Sequence, residues 1–558
     1  MSVIVPAGEG GGRSAAAAAR HVGWWLLLAL ALFAGAFLRV WQLRGQMLID
    51  DEWHAVRMLL RSGYADIATH FGVADHSIPL TLFYRWLHDL GVLDEWRMHL
   101  PLLAAGIALL AVASLALRRE IGAATRASWV ALLAVSPTLV YFSRTARPYA
   151  LVALCGFVAL LAFRNWWLRR PHARAWGAIY VACTVLAGWA HLLSLLLTLW
   201  PFVPCAIATL RARRAEMARL VGLAVITVLP LALLLGPPLA GDWAAMAGKA
   251  GTDLPSWQTL ADALGMQFGV GPMLVAACLL VPLTLGIASL WRRAPDIVQV
   301  PLGAALFGLL MIGLARPAWI QHAPVLVRYA APFLPFLLLF LAEGIAVLCT
   351  RAGRFAPALA PVAAFAVLAG LVIAGPLPSL AYRPNQFMEH ARFQFAYDPA
   401  RNPYVTEVEL GTISSFYREL AKRPPGSVTL IEAPQRAHSN YMPQPWLQAI
   451  HRQNVKFALI GSVCGDGEWD ELPSRDAAML RFRRVGRLAD ILDGASWGAD
   501  HLVLHMQPWT IPPGGAFPWP VAWPDMEACA ARVARRLGPP VHADERIRVF
   551  DLRARPGR

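Results

Sequence analysis

Long apolar runs constrain this chain more than any other feature of its sequence. Several of them reach the roughly 20 residues that an α-helix needs to cross a bilayer. The chain has 558 residues, 57% of them apolar and 15% charged, which excludes an ordinary soluble protein. The pattern predicts a polytopic α-helical membrane protein with about eleven transmembrane helices, near 22–43, 99–117, 127–142, 149–163, 175–190, 192–210, 218–239, 271–290, 300–315, 330–349 and 356–376.

Arginines collect in the turns that follow every even-numbered predicted span, for example at Arg118 and Arg119, and again at Arg292 and Arg293. Short loops rich in arginine or lysine stay in the cytoplasm. The N-terminus is therefore predicted to lie inside, and the loop 44–98 to lie outside with everything after 377. This loop bias also accounts for the formal net charge of +15, so that charge does not indicate a nucleic-acid partner.

The chain divides into three parts by composition. Residues 1–21 are rich in glycine and alanine and are predicted to be disordered, and 22–376 form the transmembrane domain. Residues 377–558 carry more charge and proline and no span-length apolar run, and they are predicted to form a periplasmic α/β domain. Its expected strands and helices are Val428–Ile431, Phe457–Ile460, Leu502–Leu504, Ile547–Phe550, 443–453 and 524–537.

The seven cysteines show no metal-binding spacing. Five lie in apolar runs and are expected to be small core residues. Cys464 and Cys529 lie in the polar C-terminal part, and whether they pair stays open. No cofactor is predicted from a motif, and a requirement for a divalent cation stays open.

The first polar cluster directly follows the first apolar run. A carboxylate in hydrocarbon costs about 2.5–3.5 kcal/mol on insertion scales, so such a cluster is either a solvated loop or a site. In the structural alternative, an aspartate simply caps a juxtamembrane helix over 52–62. The functional alternative is a site made of the whole cluster, which comprises Asp50, Asp51, Glu52, His54 and Arg57.

Further polar clusters lie on the same predicted outer side. Each has a structural alternative: the arginines can snorkel to lipid headgroups, the tyrosines can belong to the interfacial aromatic belt, and a lone histidine can be a core residue. These clusters are Asp75 with His76, the segment Ser143–Tyr149 with Arg144 and Arg147, the single His191, and His322 with Arg328 and Tyr329.

Arginines are favoured on the cytoplasmic side, so arginines beside carboxylates on the outer side need another explanation. Guanidinium groups bind phosphate with forked donors and can stabilise a departing phosphate. A carboxylate can take the proton from an acceptor hydroxyl. Nucleotide sugars are absent outside the cytoplasm, so this combination suits group transfer from a lipid-linked phosphate donor.

The same motifs resemble the C-type membrane glycosyltransferases, in the branch that contains protein O-mannosyltransferases and the aminoarabinose transferase of lipid A. The Asp51-Glu52 pair in LIDDEWHAVR matches the acidic pair of the first outer loop, and DHSIPLTLFY matches a later H-P-P-L-Y-Y-like element, with Ile78 at its first proline. Ser143–Tyr149 matches S-R-x-A-R-P-Y, and 328–335 matches R-Y-x-x-P-x-x-P. The resemblance covers about 22–376.

The resemblance implies an inverting glycosyltransferase in the cytoplasmic membrane that uses a polyprenyl-phosphate sugar and a lipid, glycan or protein acceptor. Asp51 would be the base, supported by Glu52 and His54. The residues implied to hold the donor phosphate are Arg57, Arg144, Arg147, Tyr149, Arg328 and Tyr329, and the supporting candidates are Asp50, Asp75, His76, His191 and His322.

The alternative from another class is a lipid or polysaccharide transporter, or a membrane scaffold without catalytic activity. A transporter is expected to carry polar residues near the middle of its spans. Here the polar clusters lie at one end of the predicted spans, which favours the enzyme.

Overall fold

A computed structural model of the chain describes most of the membrane part and about a third of the C-terminal part. The described residues are 10–41, 43, 52–72, 76–210, 214–248, 251, 254–271, 273–317, 320–321, 323–352, 359–375, 377, 413–433, 447, 451–455, 499–507 and 525–553.

The membrane part is built from helices joined mostly by short turns. Two 3₁₀ turns, Leu192–Ser194 and Ala331–Phe333, precede the α-helices that begin at Leu195 and Leu334. The helices are α1 Gly10–Val40, α2 Trp53–Arg61, α3 Tyr64–Thr69, α4 Ile78–Asp89, α5 Glu95–Leu115, α6 Ala123–Val135, α7 Pro137–Ser143, α8 Tyr149–Trp167, α9 Ala173–Ala190, α10 Leu195–Thr198, α11 Phe202–Leu210, α12 Arg214–Ala247, α13 Trp257–Phe268, α14 Met273–Arg293, α15 Pro295–Ala315, α16 Ala323–Ala330, α17 Leu334–Ala352 and α18 Ala360–Ala374.

The prediction of a polytopic helical membrane protein is confirmed. Among the described residues, eight helices are long and apolar enough to cross a membrane, or nine if the bent pair α6–α7 is one span. Ala360–Ala374 is a shorter apolar helix, although a full span was predicted there. The predicted number of eleven spans therefore stays a prediction.

Two helix boundaries differ from the sequence prediction for local reasons. α5 begins at Glu95 rather than near 99, because the Asp94 carboxylate accepts a hydrogen bond from the Arg97 amide at 2.7 Å and caps the helix. α1 begins at Gly10, inside the segment for which disorder was predicted, where a run of alanines favours helix.

The predicted span 127–142 is broken rather than continuous. α6 ends at Val135, and α7 begins at Pro137 with a bend of 57°. Proline cannot donate the helical hydrogen bond and disfavours a helical residue before it, and Ser136 accordingly has ψ of 116°. The break ends the third span in a short separate helix that carries Ser143 at its last position.

The basic turns meet at one end of the helices. Arg164, near the end of α8, forms ion pairs with Glu120 at 3.0 Å and with Asp296 at the start of α15. Arg293, at the end of α14, pairs with Glu343 of α17. Because α8 runs from Tyr149 to Trp167, its first residue lies at the opposite end from these ion pairs.

The C-terminal part forms a five-stranded sheet in the order β2-β1-β3-β5-β4, from β1 Thr429–Ala433, β2 Asn454–Val455, β3 His501–His505, β4 His542–Ala543 and β5 Ile547–Asp551. β1 pairs in parallel with β2 and β3, and β5 pairs antiparallel with β3 and β4. The helices α19 Ser415–Ala421 and α20 Met526–Leu537 contribute to its two hydrophobic clusters.

The α/β class predicted for this part is confirmed. Three of the four predicted strands are present, while Phe457–Ile460 lies outside the described residues, as does most of 443–453. β2 and β4, which have two residues each, were not predicted.

Cysteine environments differ in part from the expectation. Cys529 is disulfide-bonded, and Cys464 lies outside the described residues. Of the five cysteines in apolar runs, Cys155 and Cys349 are buried, whereas Cys183 and Cys205 are half-buried and Cys278 is exposed. A span presents part of its surface to lipid, which is as apolar as a core, so a small apolar side chain fits either place.

Two glycines allow α14 and α17 to approach with their backbones in contact. A Cβ atom at Gly344 would lie 1.7 Å from the carbonyl oxygen of Pro282, and one at Gly286 would lie 1.8 Å from that of Phe340. Both obstacles are backbone atoms, which cannot move aside as a flexible side chain does.

We expect Gly344→Ala to lower the thermal stability of the detergent-solubilised protein strongly, because overpacking of this kind costs about 1–3 kcal/mol or more. Gly313→Ala on α15 is the control, since no atom lies within 4 Å of its Cβ position. Thermal unfolding followed by size-exclusion chromatography measures both. Equal melting temperatures for the two variants would contradict the close backbone contact.

Candidate active site

The loop 44–98, which we call the outer loop after its predicted side, contains predicted site residues both inside and outside the described part of the chain. Glu52, His54 and His76 are described, whereas Asp50, Asp51, Asp75 and the side chain of Arg57 lie outside it, as does His322 of the later cluster. The predicted site residues of the other clusters are all described, namely Arg144, Arg147, Tyr149, His191, Arg328 and Tyr329.

Glu52 is buried and occupies the N-cap position of α2, but its side chain makes no capping hydrogen bond. Instead its Oε1 atom accepts hydrogen bonds from the backbone amide of Ala146 and from Nε2 of His99, the latter at 2.9 Å. With the carboxylate as the acceptor of both bonds, the His99 ring donates from Nε2. The carboxylate thus joins the outer loop to α5 and to the turn between α7 and α8.

His99 is fully buried on α5 and was not predicted as a site residue. It lies at the edge of an apolar run, where the sequence carries no signal that separates it from a core histidine. Its role follows only from its hydrogen bond with Glu52, which lies in a distant loop.

Two buried arginines anchor the segment 143–147 to the end of α1. Arg39 donates to the hydroxyl of Ser143 at 3.2 Å and to the carbonyl oxygens of Gly35, Ala134 and Leu133. Arg144 donates through Nη1 to the carbonyl oxygens of Leu38 at 2.9 Å and Trp41 at 2.6 Å. Carbonyl groups at a helix C-terminus lack helical partners and attract cations, so these contacts satisfy both sides.

Arg144 and Arg147 are three residues apart, so they would share one helix face if the helix of the third span continued through them. The structure differs, because α7 ends at Ser143 and Arg144 leaves the helical conformation with φ −117° and ψ 7°. Arg144 turns to the end of α1, whereas the guanidinium of Arg147 lies 5.9 Å from the ring centre of Tyr149. The two arginines therefore face different surroundings.

The turn that presents Arg147 is tightly defined. The Arg147 amide donates to the carbonyl oxygen of Thr145 at 2.7 Å, and the Ala146 amide between them donates to Glu52. Pro148 is the N-cap of α8, and Tyr149 is its first residue, as in the predicted span 149–163. Arg147 itself is buried.

His191 joins this turn to the fourth predicted cluster. Its ring centre lies 5.5 Å from that of Tyr149 and 5.8 Å from that of Tyr329. The guanidinium of Arg328 lies 5.4 Å from the Tyr329 ring centre. Arg147, Tyr149, His191, Tyr329 and Arg328 thus form one continuous group, which we call the arginine–aromatic cluster.

Electrostatics keep His191 neutral. Desolvation by burial lowers the pKa of His191 to about 3, and the charges of Arg147 and Arg328 act in the same direction. Both guanidiniums therefore lie close enough to the imidazole to disfavour its protonation. A neutral ring between two cations can contribute a hydrogen bond to a bound group without adding a third charge.

Tyr84 on α4 lies between the buried charges of the site. Burial raises its pKa well above the usual value, the Glu52 carboxylate adds to this effect, and Arg147 opposes it. Its hydroxyl donates to the carbonyl oxygen of Met98, the residue before His99. The tyrosine thereby packs the outer loop against the Glu52–His99 pair.

His76 is buried but hydrogen-bonded within its own loop. Its Nε2 donates to the carbonyl oxygen of His70 at 2.9 Å, and its Nδ1 lies 2.9 Å from the hydroxyl of Thr81. These contacts define the start of α4. His54 is half-buried on α2.

An apolar cavity of about 240 Å³ adjoins the arginine–aromatic cluster. Tyr329 belongs to both, and Ala330 and Pro332 continue the wall. Most of the remaining lining is aliphatic, including Leu193, Leu196, Leu260, Leu264, Leu309 and Ile312. A hydrocarbon chain fits such a cavity, and a charged group attached to the end of that chain would meet the arginines.

Within the described residues, no group of three His, Cys, Asp or Glu side chains could hold a metal ion. Asp50, Asp51 and Asp75 lie outside that part of the chain.

No family model and no curated protein matches this chain. Among solved structures, it is similar to ArnT from Cupriavidus metallidurans in the apo state, with a TM-score of 0.45 and 15% identity over 95% of this chain and 98% of that one. It is also similar to the Archaeoglobus fulgidus oligosaccharyltransferase in complex with Zn and sulfate, with a TM-score of 0.40 and 14% identity over 86% of this chain and 68% of that one.

The arabinofuranosyltransferase AftD from Mycobacteria is a third similar structure, with a TM-score of 0.40 and 14% identity over 87% of this chain and 35% of that one. ArnT, the archaeal enzyme and AftD are C-type glycosyltransferases, the class that the sequence motifs resemble. Identities of 14–15% and TM-scores below 0.5 assign no role to individual residues of this chain.

We expect the lowered pKa of His191 to make stability depend on pH. Above pH 6.5 the imidazole is neutral in both states. Below pH 6.5 the unfolded state binds a proton that the folded state does not bind until about pH 3. The free energy of unfolding therefore decreases as the pH falls from 6.5 toward 3. The loss at pH 5 is about 1–2 kcal/mol. Melting temperatures at pH 7.5 and 5 should differ less for His191→Gln than for the wild type, and equal differences would contradict this account.

Proposed function

We propose that the protein is an inverting glycosyltransferase that takes a sugar from a polyprenyl phosphate at the outer face of the cytoplasmic membrane. The observation that carries this proposal is the position of the arginine–aromatic cluster beside an apolar cavity. Arg147 and Arg328 come from separate elements, and Tyr329 touches both the cluster and the cavity. A ligand with an anionic head and a hydrocarbon tail matches this pair of surroundings.

The arginine–aromatic cluster suits a phosphate group better than an uncharged sugar. Guanidinium groups offer several N–H donors in a plane and keep their charge when desolvated better than other cations do. The neutral His191 and the phenol groups of Tyr149 and Tyr329, whose ring centres lie 5.5 Å and 5.8 Å from that of His191, add uncharged groups that can form hydrogen bonds. A phosphate that gains negative charge as its bond to the sugar breaks is stabilised most by such fixed donors.

The chemistry needs few groups. The acceptor hydroxyl attacks the anomeric carbon from the face opposite the phosphate, and a carboxylate takes its proton. The bond between the anomeric carbon and the phosphate oxygen breaks, and its electrons stay on the polyprenyl phosphate. The new glycosidic bond has the opposite anomeric configuration, and Arg147 and Arg328 hold the leaving phosphate.

Asp51 is the residue we assign as the base. It directly precedes Glu52, whose Oε1 atom is engaged by His99 and Ala146. The buried Glu52 is poorly suited to take a proton from an acceptor, because its carboxylate would have to abandon these contacts. The neighbouring Asp51 has the same carboxylate chemistry.

The sidedness of the site supports the lipid-linked donor. Basic turns meet at one end of the helices, where Arg164 binds Glu120 and Asp296, and the arginine–aromatic cluster lies at the opposite end of α8. Cytoplasmic loops are the basic ones, so the cluster faces outward. We assign the N-terminus to the cytoplasm and the sheet domain to the periplasm. The acceptor class, lipid, glycan or protein, stays open.

The test is transfer of labelled sugar from synthetic polyprenyl-phosphate sugars by purified protein in detergent, with envelope extracts as acceptors and no ion gradient. Label must move to the acceptor fraction and polyprenyl phosphate must appear in equal amount. Mass spectrometry of envelope glycans from cells with and without the gene then identifies the product. Transport of intact donor across vesicles without transfer would favour the transporter instead.

We expect Arg147→Lys to lower catalytic efficiency for the lipid donor at least tenfold, which is about 1.4 kcal/mol of transition-state stabilisation. Lysine keeps the charge but lacks the planar fork of donors. Arg118→Lys is the control, because Arg118 is exposed at the basic end of the helices. Initial rates against donor concentration measure both, and wild-type kinetics for Arg147→Lys would remove this turn from the site.

We expect Asp51→Asn to abolish transfer in a folded protein. Asparagine keeps the size of the side chain and can still cap a helix, but it cannot accept the proton of the acceptor. The control measurement is the thermal stability of the variant, which should match the wild type. Near wild-type turnover by Asp51→Asn would exclude Asp51 as the base.

A further inference from the structure

We infer that Glu52 and His99 form a buried tether that positions the base and the phosphate ligand relative to each other. This inference rests on the proposed function for its catalytic consequences and on geometry alone for the tether itself. His99 is thereby a positioning residue for which the sequence carried no signal, and Glu52 acts through its neighbours rather than on substrate.

Three chain segments meet at one oxygen atom. Oε1 of Glu52 accepts from His99 Nε2 at 2.9 Å and from the Ala146 amide, and the side chains of Glu52 and His99 are 1% and 0% exposed. Hydrogen bonds to a buried carboxylate are stronger than neutral ones, and a buried charge deprived of its donors is costly. The three segments therefore cannot separate without exposing an unsatisfied charge.

Each end of the tether carries a residue of the proposed reaction. Asp51 directly precedes Glu52 in the sequence, and Arg147 directly follows Ala146. The Arg147 amide is also held by the Thr145 carbonyl oxygen at 2.7 Å, so the direction of the arginine follows from the position of Ala146. Small errors in such positions cost large factors in rate, because reacting groups must be aligned before the bond breaks.

His99 links this arrangement to a rigid element. It lies in the second turn of α5, which packs closely against the segment: a Cβ atom at Gly106 would lie 2.0 Å from the hydroxyl oxygen of Ser143. Tyr84 donates to the carbonyl oxygen of the adjacent Met98 and holds the outer loop from the other side. The tether is therefore anchored in the membrane helices rather than in the loop alone.

The tether predicts different outcomes for substitutions that preserve or remove its atoms. Glu52→Gln keeps an oxygen that accepts from both His99 and Ala146, so it should lower catalytic efficiency less than Glu52→Leu does. Glu52→Leu and His99→Leu remove the junction and should each lower efficiency at least tenfold, with a raised KM for the donor and a lowered kcat. His99→Gln retains an N–H donor and should recover part of the loss.

The double variant Glu52→Leu with His99→Leu should be no worse than either single variant, because the two side chains act as one unit. The control is Thr138→Val, which removes a buried hydrogen bond at 3.1 Å between α7 and the Met266 carbonyl oxygen without touching Glu52, His99 or Ala146. Its donor KM and kcat should match the wild type.

Hydrogen–deuterium exchange supplies a readout that does not depend on catalysis. In His99→Leu the amides of a peptide covering 143–149 should exchange at least tenfold faster than in the wild type, while Thr138→Val and Glu52→Gln keep wild-type protection. Unchanged exchange in His99→Leu would overturn the tether. Complete loss of transfer in Glu52→Gln with full protection would make Glu52 a catalytic residue and also overturn it.

The failure of the proposed function has a separate signature. If wild-type protein transfers no sugar from any polyprenyl phosphate while His99→Leu accelerates exchange at 143–149, the tether stands and the reaction assignment falls. If transfer occurs and neither exchange nor kinetics responds to His99→Leu, the reaction stands and the tether falls.

Discussion

A carboxylate that is buried at the surface of a membrane domain must have hydrogen-bond donors, and Glu52 obtains them from two distant parts of the chain. One donor is the side chain of His99 on a long helix, and the other is the backbone amide of Ala146 in a turn. Because both bind the same oxygen, the outer loop, α5 and the turn between α7 and α8 are joined at one point. The arrangement of the candidate site depends on that junction.

Two buried arginines donate hydrogen bonds to backbone carbonyl groups at helix ends. Arg144 directs its donors at the backbone carbonyl oxygens of Leu38 and Trp41, where the end of α1 leaves acceptors without partners, and Arg39 donates to those of Leu133 and Ala134 near the end of α6. The broken span that ends at Ser143 brings Arg144 to that place. The two arginines of the S-R-x-A-R-P-Y motif are consequently divided, with Arg144 in the framework and Arg147 in the arginine–aromatic cluster.

Much of the architecture could be predicted from the sequence, because hydrophobic length and charge bias act locally. The apolar runs correctly predicted helices throughout the membrane part, and the change of composition after 377 correctly predicted an α/β domain. Outer clusters at 143–149, His191 and 328–329 were proposed as separate features, and the structure brings them together. The number of spans was harder to predict, since Pro137 bends one and Ala360–Ala374 is short.

The amino-acid sequence by itself determined which residues carry charge at the ends of apolar helices and hence the class of chemistry that they suit. Only the tertiary structure decided which of those charges meet. Glu52 and Ala146 are 94 residues apart, and His99 is 47 residues from Glu52, so no local spacing encodes their contact. Helix packing brings them within hydrogen-bonding distance, and burial then requires that the carboxylate, the imidazole and the amide satisfy one another.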